Sequence, residues 1–231
     1  MKTIGLLGGM SWESTQTYYR LINQGVQKAL GGLHSARIVL DSVDFQELAD
    51  LQGADDWSGA TALLVDGAGR VAAAGADCVM ICTNTMHKVA PEIEAAVDLP
   101  LLHIADAAGK ALAAQGVTQI GLLGTAFTME QDFYRERLSS GFGISTLVPE
   151  ADDRAVVHRI IYEELCQGQV LDASRGEYLR IIDTLAARGA EAVVLGCTEI
   201  GLLVQQEHSA VCLLDTTAVH AAMAVDFALA S

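Results

Sequence analysis

The chain repeats itself once, and that duplication limits its possible folds more than any other feature. Residues 4-IGLLG-8 recur as 120-IGLLG-124, and 75-GADCVMI-81 recurs as 189-GAEAVVL-195. A weaker echo joins 101-LLHIADAAGKAL-112 to 213-LLDTTAVHAAMA-224. The offsets are 116, 114 and 112, so the two copies stay in register from end to end. Repeats of roughly 20–50 residues would mean a solenoid, whereas a single long duplication means two similar domains.

Within each copy, apolar runs of about five residues alternate with helical patterns of about fifteen. Strands are expected at 3-TIGLL-7, 37-RIVLDS-42, 77-DCVMI-81 and 100-PLLHI-104, and again at 119-QIGLLG-124, 144-ISTLV-148, 191-EAVVLG-196 and 211-VCLLD-215. Their continuous apolar character suits parallel strands covered on both faces. In 14-STQTYYRLINQGVQKAL-30, Tyr18, Leu21, Ile22, Val26 and Leu30 form one stripe; Tyr178, Ile181, Ile182 and Leu185 do so in 172–189, with Gly189 as its cap. The expectation is an α/β fold of two pseudo-symmetric domains, each a four-stranded parallel sheet flanked by helices. Residues 1–103 plus 216–231 would form the N-terminal domain and 104–215 the C-terminal one. Such domains place ligands at the carboxyl ends of their strands, which predicts an active site in the interdomain cleft.

Composition removes several classes. The 231 residues are 51% hydrophobic with only 3 prolines, which reads as compact rather than disordered. A formal net charge of −15 argues against a nucleic-acid partner, which needs a basic face. No apolar run approaches the ~18 residues of a membrane span, and the first residues lack a signal-peptide pattern. The 5 cysteines form no CxxC pair or metal comb, so a reduced, cytoplasmic chain is the simplest expectation. Cys78, Cys166 and Cys212 lie inside apolar patterns and are expected in the core. No metal or cofactor is expected. The glycines at 5, 8 and 9 do not make GxGxxG, and none of the 4 lysines stands where a pyridoxal Schiff base is suggested.

The two copies end their third strands alike. Aligning 79-VMICTNT-85 with 193-VVLGCTE-199 pairs Thr83 with Cys197, Asn84 with Thr198 and Thr85 with Glu199. Cys82 falls one place early, opposite Gly196, so strand alternation points it away from Thr83 and toward packing as a small apolar residue. Two proton-handling groups on opposite walls of a cleft suit inversion of a stereocentre beside a carboxylate. Asn84, Thr85 and Thr198 could bind that carboxylate through side chains and backbone N–H groups. Glu199 could orient Cys197 or simply favour a helix N-terminus, and His87 reads as a helix-face histidine or a tuner of the site. His103 and His220 carry no assignment.

These residues resemble the aspartate/glutamate racemase family of cofactor-independent, PLP-independent amino-acid racemases, along essentially the whole chain. The matching stretches are 4-IGLLGGMSWES-14, 82-CTNTMHK-88, 121-GLLGTAFTM-129 and 195-LGCTEIGLLV-204, of which the last is the most specific. The resemblance implies two pseudo-symmetric domains, with a catalytic cysteine from each in the family, a last helix packed back on the first domain, and a homodimer. It implies that Cys197 is the acid/base on one face, and that Asn84, Thr85, Thr125, Thr128 and Thr198 line the substrate carboxylate. Met10 and Ser11 would sit at the cleft mouth.

The chain departs from that pattern twice. Where the family reads Cys-Asn-Thr, this chain has Thr83-Asn84-Thr85, and a hydroxyl is a far weaker acid than a thiol. The basic residues that strict aspartate racemases carry after strand 2 and near position 160 are absent from the matching places in 43-VDFQELAD-50 and 158-HRIIYEELCQG-168. The variant also resembles broad-specificity racemases. Thr83 and Cys197 are the expected catalytic pair, with Cys82 as the alternative base. A single-thiol relative such as a malonate-type decarboxylase, or an amino-acid binder without turnover, remains the competing expectation.

Overall fold

The computed structural model describes residues 1–230, which divide into two compact units. The first is Met1–His103 with the C-terminal segment from His220, and the second is Ile104–Val219.

The first unit holds a parallel sheet of β1 (Thr3–Gly8), β2 (Arg37–Ser42) and β3 (Cys78–Ile81) in the order β2-β1-β3. β1 is central, and its register runs Ile4 against both Ile38 and Cys78, then Leu6 against both Leu40 and Met80. Side chains alternate across this sheet. Ile4, Leu6, Cys78, Met80 and Cys82 pack on one face with Tyr18, Ile22 and Val26 of the helix Trp12–Leu30. The same cluster takes in Ala221, Ala224, Val225 and Ala228 of the last helix, Thr216–Leu229. Leu7, Val79 and Ile81 pack on the other face with Leu64, Ala68 and Val71 of the helix Trp57–Ala73.

One expected strand of this unit does not form. Segment 100–104 makes a single parallel bridge, Val79 to Leu101, held by Val79 N–H to Pro100 O at 3.0 Å and Leu102 N–H to Val79 O at 2.9 Å. Pro100 has no N–H to extend a ladder, and the helix Ile104–Ala114 begins before a second bridge can form. The first sheet therefore has three strands where four were expected.

The second unit has four parallel strands in the order β5-β4-β6-β7: β4 (Gln119–Gly124), β5 (Ser145–Leu147), β6 (Ala192–Gly196) and β7 (Cys212–Asp215). β6 is buried along its whole length, which suits its uninterrupted apolar sequence. Leu123, Val193, Leu195 and Cys197 face one core with Tyr178, Ile181, Ile182 and Leu185 of the helix Asp172–Ala187. Ile120, Leu122, Ala192 and Val194 face another with Ile104, Leu112, Tyr134 and Leu138. Gly189 sits at φ 101° just past Asp172–Ala187, where a side chain would be strained. Two cysteines expected in the core are only partly buried: Cys166 lies in the short helix Leu165–Gln167, and Cys212 is at the start of edge strand β7 near Gln115.

Candidate active site

In the first unit, β1 ends in two glycines that the local packing requires. A Cβ on Gly8 would lie 2.5 Å from Thr15 Cγ2, and one on Gly9, at φ 90°, would lie 2.2 Å from Val43 O. The chain turns there into Met10 and Ser11, both buried, and Ser11 Oγ caps the following helix by accepting from Ser14 N–H at 3.3 Å. Thr15 Oγ1 accepts from Gly9 N–H at 2.8 Å and donates to Ser11 O at 2.9 Å. The turn is thus held by side chains of the helix it opens.

β3 runs out beside it. Cys82 N–H still bonds Leu7 O at 2.9 Å, and Cys82 is fully buried on the Cys78–Met80 face. Burial pushes its thiol far above the ordinary range, so it sits in that core as a neutral group. Thr83, the next residue, is half-buried, while Asn84, Thr85 and His87 are buried. The short helix Thr85–Val89 follows directly.

The second unit repeats the plan. A Cβ on Gly124 would lie 2.8 Å from Gly196 O, and one on Gly196 would lie 2.8 Å from Leu123 O, so neighbouring strand ends touch backbone to backbone. Thr125 caps the helix Ala126–Glu130, accepting from Thr128 N–H at 3.3 Å, with its own Oγ1 at 3.3 Å from Thr128 Oγ1. Past β6, Cys197 Sγ donates to Glu199 Oε2 at 2.9 Å, and Thr198 Oγ1 donates to the same oxygen at 2.8 Å. All three residues are buried. The Cys197 thiol is pushed well up, first by burial, then by the Glu199 carboxylate and by Cys166. A neutral thiol donating to a carboxylate is the resting form.

Three residues near this second ending carried no sequence signal for the site, although Tyr178 was legible as part of an apolar helix stripe. Tyr162 and Tyr178 have phenols pushed up by burial first and then by Cys197, and Tyr178 donates to Val157 O at 3.1 Å. His158 Nδ1 accepts from Ala126 N–H at 3.1 Å, and partial burial lowers its pKa. They arrive from the helices Ala151–Glu163 and Asp172–Ala187, in each case more than a dozen residues from the motif they approach. Among the described residues, no group of three His, Cys, Asp or Glu side chains is placed to hold a metal ion. No helix among them is long and apolar enough to cross a membrane.

The profile of the family described as Asp/Glu/Hydantoin racemase matches residues 7–224. The chain belongs to this family. Among solved racemase-family structures, it is similar to a proposed Asp/Glu racemase from Yersinia pestis, at 54% identity over 100% of both chains with a TM-score of 0.92. It is also similar to an aspartate racemase homologue from Pyrococcus horikoshii OT3, at 30% identity over 99% of both chains with a TM-score of 0.85. Among curated relatives, the broad specificity amino-acid racemase RacX of Bacillus subtilis (strain 168) is 21% identical over 93% of each chain. The racemase-family α/β architecture is therefore the fold of this protein.

Proposed function

We propose that the protein is a cofactor-independent amino-acid racemase that exchanges the proton on Cα, with Thr83 of the first unit and Cys197 of the second as proton carriers. The observation that carries this reading is the matched ending of β3 and β6. By the period of two, Thr83 continues the Val79–Ile81 row and Cys197 continues the Val193–Leu195 row, while Cys82 belongs to the opposite row. Asn84, Thr85, Thr125, Thr128 and Thr198 supply the hydroxyl, amide and N–H groups that suit an α-carboxylate, with Met10 and Ser11 at the edge of the substrate.

The chemistry follows from the groups. Cys197 rests as a thiol bonded to Glu199, so it becomes a base by passing its proton to that carboxylate, 2.9 Å away. The thiolate then takes the α-proton, and the Thr83 hydroxyl returns one to the other face, leaving an alkoxide that solvent reprotonates as Glu199 gives its proton back to water. Reversal uses the same groups in the opposite order. Because a hydroxyl is the weaker acid, the Thr83 step carries the larger barrier. L and D isomers have equal free energy in water, so kcat/KM is equal in both directions. The asymmetry therefore shows as unequal isotope exchange into substrate and product.

Asp and Glu, or a wider set that includes neutral amino acids, are the proposed substrates. The Pyrococcus and Bacillus relatives represent those two alternatives by name. Incubation with L-Asp, L-Glu and neutral L-amino acids in deuterated water is expected to give D-isomer carrying deuterium at Cα. Absence of both exchange and D-isomer with every one of them overturns the reading. The lone thiol at the two strand ends favours one second reading, a malonate-type decarboxylase in which Cys197 protonates the carbanion left by CO₂ loss; CO₂ release from a disubstituted malonate tests it. The racemase reading also carries a homodimer acting in the cytoplasm, and sedimentation of the purified protein tests the first.

A further inference from the structure

Between β3 and the helix Thr85–Val89, three successive carbonyls each have their own donor. Cys82 O accepts from Ser14 Oγ at 3.1 Å. Thr83 O lies 2.8 Å from His87 Nδ1, and Asn84 O accepts from His87 N–H at 3.1 Å. One histidine therefore grips two consecutive peptide groups, one with its ring and one with its backbone. A carbonyl can only accept, so Nδ1 carries the hydrogen.

The ring is held in turn by two more buried imidazoles. His103 stands 4.4 Å away and His220 5.7 Å away, centroid to centroid. His220 is fixed at both nitrogens: Nε2 lies 2.6 Å from Leu102 O, and Nδ1 lies 2.9 Å from the Tyr18 hydroxyl. The same logic makes Nε2–H the donor to Leu102 and Tyr18 O–H the donor to Nδ1. The second unit has no such device. The offset of 114 puts Gly201 where His87 stands, and Cys197 O is held by the backbone N–H of Ile200 at 3.1 Å.

We propose that His87 is a positioning residue whose Nδ1–H fixes the Thr83 carbonyl and so sets the direction in which the Thr83 hydroxyl leaves the chain. This rests on the racemase reading, in which that hydroxyl exchanges a proton with Cα. With the Cys82 and Thr83 peptide planes both pinned, the Thr83 Cα–Cβ bond has one direction. Releasing one plane lets it swing, and a misplacement of about 1 Å at a reacting group costs on the order of 100-fold in rate.

Two substitutions separate the ring atoms, because an asparagine amide nitrogen reaches the place of Nδ1 and a glutamine amide nitrogen that of Nε2. His87→Asn is expected to keep kcat within about threefold of wild type, while His87→Gln loses roughly 10- to 100-fold with KM little changed. Equal loss in both variants, retention in both, or retention only in His87→Gln overturns the proposal. The ring tautomer needs no turnover: nitrogen-15 shifts of the resting protein are expected to show Nδ1–H at His87, and an Nε2–H ring overturns the proposal too. A wild type inactive on every amino acid sinks the racemase reading instead, and the tautomer then decides whether the clamp exists.

Discussion

After β3 the structure grips the backbone, and after β6 it grips a side-chain sulfur. In the first unit Ser14 and His87 hold the carbonyls of Cys82, Thr83 and Asn84, while the Thr83 side chain stays half-buried. In the second, Glu199 bonds the Cys197 sulfur itself, and the backbone is held by the ordinary turn from Cys197 O to Ile200 N–H. A hydroxyl cannot be tuned far by a neighbour, so on the proposed reading the fold would control its direction at Thr83. A thiol can be tuned over several pH units, so on the same reading the fold would control the proton at Cys197. One duplicated frame thus holds its two strand endings in different ways.

The sharpest way to break this contrast is to remove each carrier. Cys197→Ala is expected to lower formation of the D-isomer by on the order of 10³-fold while calorimetric binding of the amino acid survives; Thr83→Ala is expected to do the same. Loss in only one of them, or in neither, ends the idea of a carrier from each unit. Thr83→Cys makes the two endings chemically alike. Its kcat is expected to rise by roughly tenfold near neutral pH, since a thiol is the better acid. An unchanged or lower kcat in that variant means that the hydroxyl is not what limits the reaction.

Glu199→Gln tests the thiol's partner. Alkylation needs the thiolate, and the Glu199 charge raises the Cys197 pKa, so its removal is expected to shift the pH midpoint of iodoacetamide labelling downward. Burial, the larger cause, keeps the midpoint above that of a free thiol. A midpoint that stays or moves up means that the carboxylate does not control the sulfur.

The smallest effect concerns stability. Burial raises the Cys78 thiol from 9.0 to about 11, and the register-equivalent Ala192 cannot ionise at all. The folded pKa exceeds the unfolded one, so the unfolded chain binds fewer protons as pH rises. This contribution, about 2–3 kcal/mol, is complete below pH ~9 and is lost toward pH ~11. Urea midpoints are expected to fall across that window, less steeply in Cys78→Val; equal slopes refute the assignment.

The duplication and the parallel strands were legible because each rests on local sequence. An uninterrupted apolar run specifies a doubly covered strand, and the period of two separates Cys82 from Thr83. Two errors came from the same local view. The apolar letters of 100-PLLHI-104 suggested a strand, but Pro100 and the helix starting at Ile104 leave room for one bridge. Apolar surroundings placed Cys166 and Cys212 in the core, but a short helix and a sheet edge leave them partly exposed.

What the sequence determined by itself is the kind of frame and the identity of the residues at its strand ends, since propensity, periodicity and glycine geometry act over a few residues. Only the tertiary structure decided which atoms those residues meet. Tyr18 bonds His220 across 202 positions, and His220 in turn stands against His87, contacts that no spacing along the chain announces. They form because burying polar rings is costly unless each nitrogen finds a partner, and the packing of distant helices supplies those partners.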